Sequence, residues 1–242
     1  MEKNLPEIDF IKGWVRTSLI DYSGKIATVI YTGGCNLRCP FCHNPELLSG
    51  GDGYETIAFQ EIMEFLKFRE GMIDGIVVSG GEPLIHKSII TLFRKLREFD
   101  IQIKLDTNGC FPEQLQMILD LGLIDMVAMD IKSSRDAYSE IVGNKRDIVK
   151  KIDASLNILK SSSIPFELRT TILPNIHTKQ MMLDIVQWIA PVEHYYLQQF
   201  RPEVTLDHSY NRLRPVTQSE LKELQLVCQQ IIPQTSIRGL ST

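Results

Sequence analysis

The stretch "KIATVIYTGGCNLRCPFCHNPEL", Lys25 to Leu47, begins as a run rich in β-branched residues. It breaks on Gly33-Gly34 and then releases three of the chain's five cysteines within eight residues. A buried strand that ends in a glycine turn followed by reactive side chains is how a parallel α/β architecture delivers chemistry to its rim. The same alternation continues to either side.

Downstream, "AFQEIMEFLKFREG" places Phe59, Ile62, Phe65 and Leu66 on one helical face, with Gly71 set to stop it. The strand "DGIVVSG" follows, then a helix around "IITLFRKLREF". Next come the strand "IQIKLDT", the helix "PEQLQMILDLG" and the strand "IDMVAMDIK". A short helix is expected after Ser134 and a longer one through Ile148, Ile152, Leu156 and Leu159. The strand "PFELRTTIL", the helix "KQMMLDIVQWI" and the strand "HYYLQQF" complete the series. A last helix opens on the capping box "TQSE", Thr217 to Glu220, and runs to about Ile232.

Six β-then-α units predict parallel strands joined by right-handed crossovers, hence the α/β class. The strands read as mostly apolar on both faces, as a sheet covered by helices requires. An eight-fold barrel needs more units, so the expectation is an open, partial (β/α)6 barrel. No repeat, low-complexity tract or linker divides the 242 residues. One domain over 1–242 is expected: an extension over 1–24, a core over about 25–200, and a loop and helix over about 201–242.

Hydrophobic residues make up 43% of the chain and charged ones 23%, with a net charge of -4. That balance argues against nucleic acid as the main partner. The basic stretch "NKRDIVKK", Asn144 to Lys151, reads as a solvated helix start. The charged N-terminus has no signal-peptide core, and no eighteen apolar residues run together, so no membrane span is expected. An odd, clustered set of cysteines fits a metal site in a reducing cytoplasm better than a disulfide framework.

The unusual residues fall where the strands end. The cysteines follow the first strand and "GGEP", Gly80 to Pro83, the second. "DTNG", Asp106 to Gly109, ends the third, "MDIK", Met129 to Lys132, the fourth. Arg169 with Thr170 and Thr171 lies towards the end of the fifth, and Gln198-Gln199 end the sixth. Singly, "GGEP" and "DTNG" could be turns, Asp130 with Lys132 a surface ion pair, and Arg169 the partner of Glu167. Parallel strands, however, carry all six segments to one rim.

The thiols are spaced CxxxCxxC at Cys35, Cys39 and Cys42. With His43 they could form a closed zinc site, although adjacent residues such as Cys42 and His43 seldom converge on one tetrahedral ion. On that ground His43 reads as an orienting or packing residue. A four-iron cubane instead takes three thiolates and leaves one iron open for a reacting partner.

CxxxCxxC with Phe41 before the last cysteine, followed by GGEP after the next strand, resembles the radical S-adenosylmethionine superfamily. "TSLIDYSGKIATVIYTGGCNLRCPFCHNPEL", Thr17 to Leu47, further resembles the activating enzymes of glycyl-radical enzymes, above all those of anaerobic ribonucleoside-triphosphate reductase. "DTNG" and the DxK of Asp130 to Lys132 extend the likeness over nearly the whole chain. Ser23 departs from it, standing where that family is expected to have proline.

The resemblance implies a 4Fe–4S cluster on Cys35, Cys39 and Cys42, with S-adenosylmethionine on its open iron. One-electron cleavage then leaves methionine and a 5′-deoxyadenosyl radical. It implies Phe41 near the adenine and His43 beside the cofactor. Gly80 and Gly81 would approach the methionine moiety, Glu82 its ammonium, and Lys132 and Arg169 its carboxylate. It also implies a monovalent cation on Asp106, Thr107 and Asp130. No acid–base residue is needed to move a hydrogen atom. The implied partners are a glycyl-radical enzyme, with anaerobic ribonucleotide reductase first, and a flavodoxin or ferredoxin as electron donor. Alternatives are an activator of pyruvate formate-lyase, a small-molecule enzyme of the 7-deazaguanine precursor synthase kind, and a zinc adaptor. Cys110 and Cys228 read as packing residues.

Overall fold

The structure is a computed structural model that describes residues 8–49, 53, 55–143 and 147–239. In chain order it holds β1 (Ile11–Ser18), β2 (Ala27–Thr32), α1 (Phe59–Phe68), β3 (Gly75–Gly80), α2 (Ile89–Leu96) and β4 (Gln102–Thr107). Then come α3 (Pro112–Asp120), β5 (Met126–Asp130), α4 (Tyr138–Ile141), α5 (Ile148–Ser161) and β6 (Phe166–Ile172). The chain ends with α6 (Lys179–Ile189), β7 (Tyr195–Gln199), α7 (Gln218–Gln229) and β8 (Thr235–Arg238).

The eight strands form one sheet in sequence order, parallel from β2 to β8. The six expected strands are β2 to β7, and the sheet does not close, as a partial barrel requires. Two strands exceed expectation. The segment read as an N-terminal extension holds β1, antiparallel to β2 with register shifts on both sides of Gly13 to Val15. The C-terminal loop and helix are followed by β8, only four residues long. The helix start at Asn144 to Lys151 is seen from Asp147 onward; 144–146 lie outside the described residues.

The strands are not apolar on both faces. Ile76, Val78, Ile103, Leu105, Val127, Met129, Leu168, Ile172 and Leu197 pack under the helices and are essentially inaccessible. Each such side chain contributes about 1.5–3 kcal/mol on burial. The alternate positions on the inner face carry Ser79, Lys104, Asp106, Asp130, Glu167, Arg169, Gln198 and Arg238. Only the outer face is covered by helices, so the inner face is free to be polar wherever charges can pair. The capping box is formed: Thr217 Oγ1 accepts from Glu220 N at 3.2 Å, and Glu220 Oε2 accepts from Thr217 N at 2.7 Å. Among the described residues no helix is long and apolar enough to cross a membrane.

Candidate active site

The loop after β2 is pinned from four directions. Gly33 N donates to Phe10 O at 2.8 Å and Gly34 N to Leu47 O at 2.6 Å. Arg38 N donates to Val142 O at 3.0 Å, and Asp207 N to Pro40 O at 2.9 Å. His86, stacked on Phe10 with ring centroids 4.2 Å apart, donates its Nε2 proton to Gly33 O at 2.7 Å. Gly34 has φ +83°, and a Cβ there would lie 2.7 Å from Ile85 Cδ1.

Within this loop Cys39 is buried and Cys35 and Cys42 partly so. Burial pushes the Cys35 thiol up to about 11 and Cys39 up to about 12, and raises Cys42. The Lys132 ammonium acts against that rise at all three. Leu37 N donates to Cys35 Sγ at 3.4 Å, and Asn108 Nδ2 lies 3.8 Å from the same sulfur. Thiols that burial keeps protonated, faced by one cation and given N–H donors, fit an iron–sulfur cluster, whose irons supply the charge that deprotonates them. Among the described residues no three His, Cys, Asp or Glu groups are gathered closely enough to hold a single metal ion.

GGEP binds to this loop. Gly81 N donates to Thr32 O at 2.9 Å and Glu82 N to Gly34 O at 2.8 Å. A Cβ on Gly80 would sit 2.3 Å from Thr32 N, and one on Gly81 2.1 Å from Gly34 O. The close approach these glycines permit is therefore to the chain's own cysteine loop. Glu82 is 0% exposed. Its Oε1 accepts from Leu84 N (3.2 Å) and Thr107 Oγ1 (2.7 Å), its Oε2 from Asn108 N (2.6 Å). Burial pushes this carboxyl up to about 7 against the pull of those donors. Glu82 thus ties GGEP to DTNG, and Asn108 Nδ2 returns to Asn36 Oδ1 at 2.8 Å.

Charges pair across the inner face. Arg169 Nε donates to Asp130 Oδ1 at 2.8 Å and its Nη1 to Asp106 Oδ2 at 3.0 Å. Lys132 Nζ holds Asp130 Oδ2 at 2.7 Å. Burial would raise the Asp130 carboxyl, but Arg169 and Lys132 prevail and hold it down to about 2. Arg169 therefore pairs with Asp106 and Asp130, while Glu167 takes Arg238 at 2.6 Å and lies 3.5 Å from Lys104. The implied cation set does not assemble: Arg169 bridges the two aspartates, and the Thr107 hydroxyl turns to Glu82. Asp106 Oδ1 is buried without a hydrogen-bond partner, 3.4 Å from Lys104 Nζ.

Phe41, within the loop, is buried in the core cluster alongside Cys39. His43 lies against Phe200, ring centroids 5.6 Å apart. Cys110 and Cys228 are buried, and burial pushes each up to about 12. Asn36, Ser79, His86, Lys104, Tyr138 and His177 carry no signal of their own in the sequence. Asn36 is one of the variable positions within CxxxCxxC, and the others lie outside the motifs, with only the period-two alternation of "QIKLDT" setting Lys104 on the same face as Asp106.

The family model described as the Radical SAM superfamily matches residues 29–189. A protein of Methanocaldococcus jannaschii with the provisional name glycyl-radical enzyme activating enzyme is 33% identical over 235 residues, 96% of each chain. A pyruvate formate-lyase-activating enzyme of Listeria monocytogenes is 33% identical over 116 residues, covering 44% of this chain and 47% of its own. Among solved structures, Streptococcus suis SuiB bound to S-adenosylmethionine superposes with a TM-score of 0.63 at 16% identity. That match covers 88% of this chain and spans about half, 50%, of SuiB. Radical SAM enzymes use a 4Fe–4S cluster and S-adenosylmethionine. The chain belongs to the radical SAM superfamily and, within it, to the activating enzymes of glycyl-radical enzymes.

Proposed function

We propose that this enzyme installs the glycyl radical of an anaerobic ribonucleoside-triphosphate reductase, with Cys35, Cys39 and Cys42 holding its cluster. The observation that carries the reading is that one loop at the end of β2 in an unclosed, polar-lined sheet presents a buried Cys39 between partly buried Cys35 and Cys42, with the Lys132 charge acting on all three thiols. Bound there, the cluster and S-adenosylmethionine would supply one-electron cleavage chemistry, directed at a glycine Cα–H of the partner. The chain's own groups position the reaction and exclude water. Glu82 and Asn108 fix the cysteine loop, and Arg169 and Lys132 are the cations available to a carboxylate once Asp130 shares them. A glycine Cα–H lies within a polypeptide, and the open side of the sheet is where a partner's loop can enter. The reductase is favoured as partner by the Thr17–Leu47 likeness. The likeness to the Listeria enzyme favours pyruvate formate-lyase as the second reading. The packing of His43 against Phe200 speaks against a zinc adaptor with His43 as its fourth ligand.

The setting is the cytoplasm, with a small flavodoxin or ferredoxin as electron donor. The test is electron paramagnetic resonance on reduced enzyme, S-adenosylmethionine and either partner. A glycyl doublet on the reductase, lost with Cys42→Ala, is the expected result. A doublet on pyruvate formate-lyase alone transfers the assignment. Robust cofactor cleavage with neither partner giving a doublet overturns it in favour of a small substrate.

A further inference from the structure

Three consecutive carbonyls of the segment that carries Asp130 and Lys132 are each held by a side chain from elsewhere in the fold. Asp130 O accepts from Tyr138 Oη at 3.4 Å. Ile131 O accepts from Thr170 Oγ1 at 2.7 Å, and that hydroxyl accepts from Tyr195 Oη at 2.7 Å. Lys132 O accepts from His177 Nε2 at 3.2 Å. The other ring nitrogen, Nδ1, accepts from Leu173 N at 2.8 Å, so the proton sits on Nε2 and the ring is neutral. All four side chains are buried, His177 at 5% and the others at 1% or less.

A strand end at a ligand-binding rim is ordinarily free to shift, because the ladder has run out of partners. Here the ladder is replaced carbonyl by carbonyl. The result is that Asp130 meets Arg169 at 2.8 Å and holds the Lys132 ammonium at 2.7 Å, from where that charge opposes the rise of all three thiols. Of the three ties, the His177 one spans the gap between the loop after β6 and Lys132 itself.

We propose that His177 is a positioning residue: its Nε2–H on the Lys132 carbonyl holds the Lys132 charge against the cluster sulfurs. Positive charge there favours the more negative, reduced cluster, so it sets the cluster's potential. The inference rests on Cys35, Cys39 and Cys42 holding the cluster, which iron counting on the parent enzyme checks independently.

Two substitutions separate this role from simple loop closure. His177→Gln keeps a donor at the reach of Nε2, whereas His177→Asn keeps only an acceptor at the reach of Nδ1, towards Leu173. Anaerobically reconstituted parent and variants would be compared by iron content, thermal midpoint and redox titration of the cluster. The expected result is full iron in both, with the potential of the Asn variant shifted negative and that of the Gln variant near the parent. S-adenosylmethionine cleavage should fall about 10- to 100-fold in the Asn variant alone. Potentials unchanged in both variants, or shifted equally, overturn the proposal, as does an effect confined to the Gln variant. If neither variant folds, Tyr138→Phe, which removes the hydroxyl that donates to Asp130 O and accepts from Lys132 N at 3.3 Å, must shift the potential the same way; if it does not, the proposal fails. None of these readouts involves the partner, so loss of the glycyl doublet in the parent would sink the functional reading and leave this one standing.

Discussion

Thr107 Oγ1 donates to Glu82 Oε1 at 2.7 Å in a pocket closed to water, and Asn108 N reaches the other oxygen at 2.6 Å. Burial outweighs these donors and pushes the carboxyl from 4.5 up to about 7. A raised carboxyl means that the folded state binds the proton more tightly than the unfolded one. Its contribution to stability is therefore complete below 4.5 and falls as pH rises to about 7. The predicted loss over that window is about 3 kcal/mol. Glu82→Gln removes the titration, so denaturant melts of parent and variant at about pH 5 and about pH 8 should diverge by that amount. Parallel pH profiles would show that Glu82 is ionised throughout.

Gly81 is required by the backbone opposite it. A Cβ would meet Gly34 O at 2.1 Å, and neither the cysteine loop nor β3 can yield without breaking the bonds between them. Gly81→Ala should cost about 3 kcal/mol or more and reduce iron content in the same preparation. Gly122, at φ +62° with nothing within 4 Å of an added methyl, is the control. Gly122→Ala should cost only about 1 kcal/mol and leave iron unchanged.

Cys39→Ala should abolish cluster assembly while the fold survives. Cys39 is a loop member of the core cluster, and the substitution takes one sulfur from it while the strand and helix side chains that hold the sheet together stay in place. Iron counting after anaerobic reconstitution and far-ultraviolet circular dichroism check both halves. A variant that still carries four irons refutes the ligand assignment, and Cys228→Ser should keep its iron.

Much of the architecture is legible in the residues alone, for reasons that differ by element. β2 to β7 stand out because each is followed by an amphipathic helix, and the stops at Gly33-Gly34 and Gly80-Gly81 sit where the backbone needs them. β1 does not, because Gly13 interrupts "IKGWVRTS" and its pairing with β2 shifts register. β8 does not, because four residues carry too little period to see. The rim motifs are legible as motifs, yet their contacts are not. Nothing local says that Glu82 points inward to Thr107 rather than outward, or that Arg169 takes Asp106 and Asp130 and leaves Glu167 to Arg238. Those choices depend on which strands are neighbours and on the register between them, and only the assembled sheet supplies that.

Asp130 is shared by two cations, Arg169 at 2.8 Å and Lys132 at 2.7 Å. Its depressed carboxyl contributes stability above 3.8 and loses it as pH falls through about 2. Asp130→Asn leaves both cations without their shared carboxylate and the Lys132 ammonium free to turn. S-adenosylmethionine binding should weaken about 10- to 100-fold, the scale of losing charged hydrogen bonds, with iron content unchanged. Unaltered affinity in equilibrium dialysis would remove Asp130 from the cofactor site.

Arg238 reaches from the edge strand β8 of the unclosed sheet to the turn between β1 and β2. From β8 it lies over the Tyr196 ring, 3.4 Å from the centroid, and forks onto Glu167 at 2.6 and 2.8 Å. The same guanidinium reaches Ser23 Oγ, in the turn between β1 and β2, at 3.1 Å. Serine thus supplies an acceptor at the position where the family likeness predicts proline. Glu167 is 1% exposed, and without Arg238 it keeps only Lys104 at 3.5 Å. Arg238→Ala should therefore cost about 3–5 kcal/mol, as a buried charge losing its partner does. Arg238→Lys should recover only part of this, because one ammonium cannot form the fork. Ser23→Ala leaves the buried pair intact and should cost less than about 1 kcal/mol. Its signature is local: faster amide exchange in the turn before β2 and in β8, with the rest of the sheet unchanged. Exchange unchanged from the parent in Ser23→Ala would show that β8 is held by its ladder to β7 and the Arg238–Glu167 pair, and that the hydroxyl adds nothing to the contact.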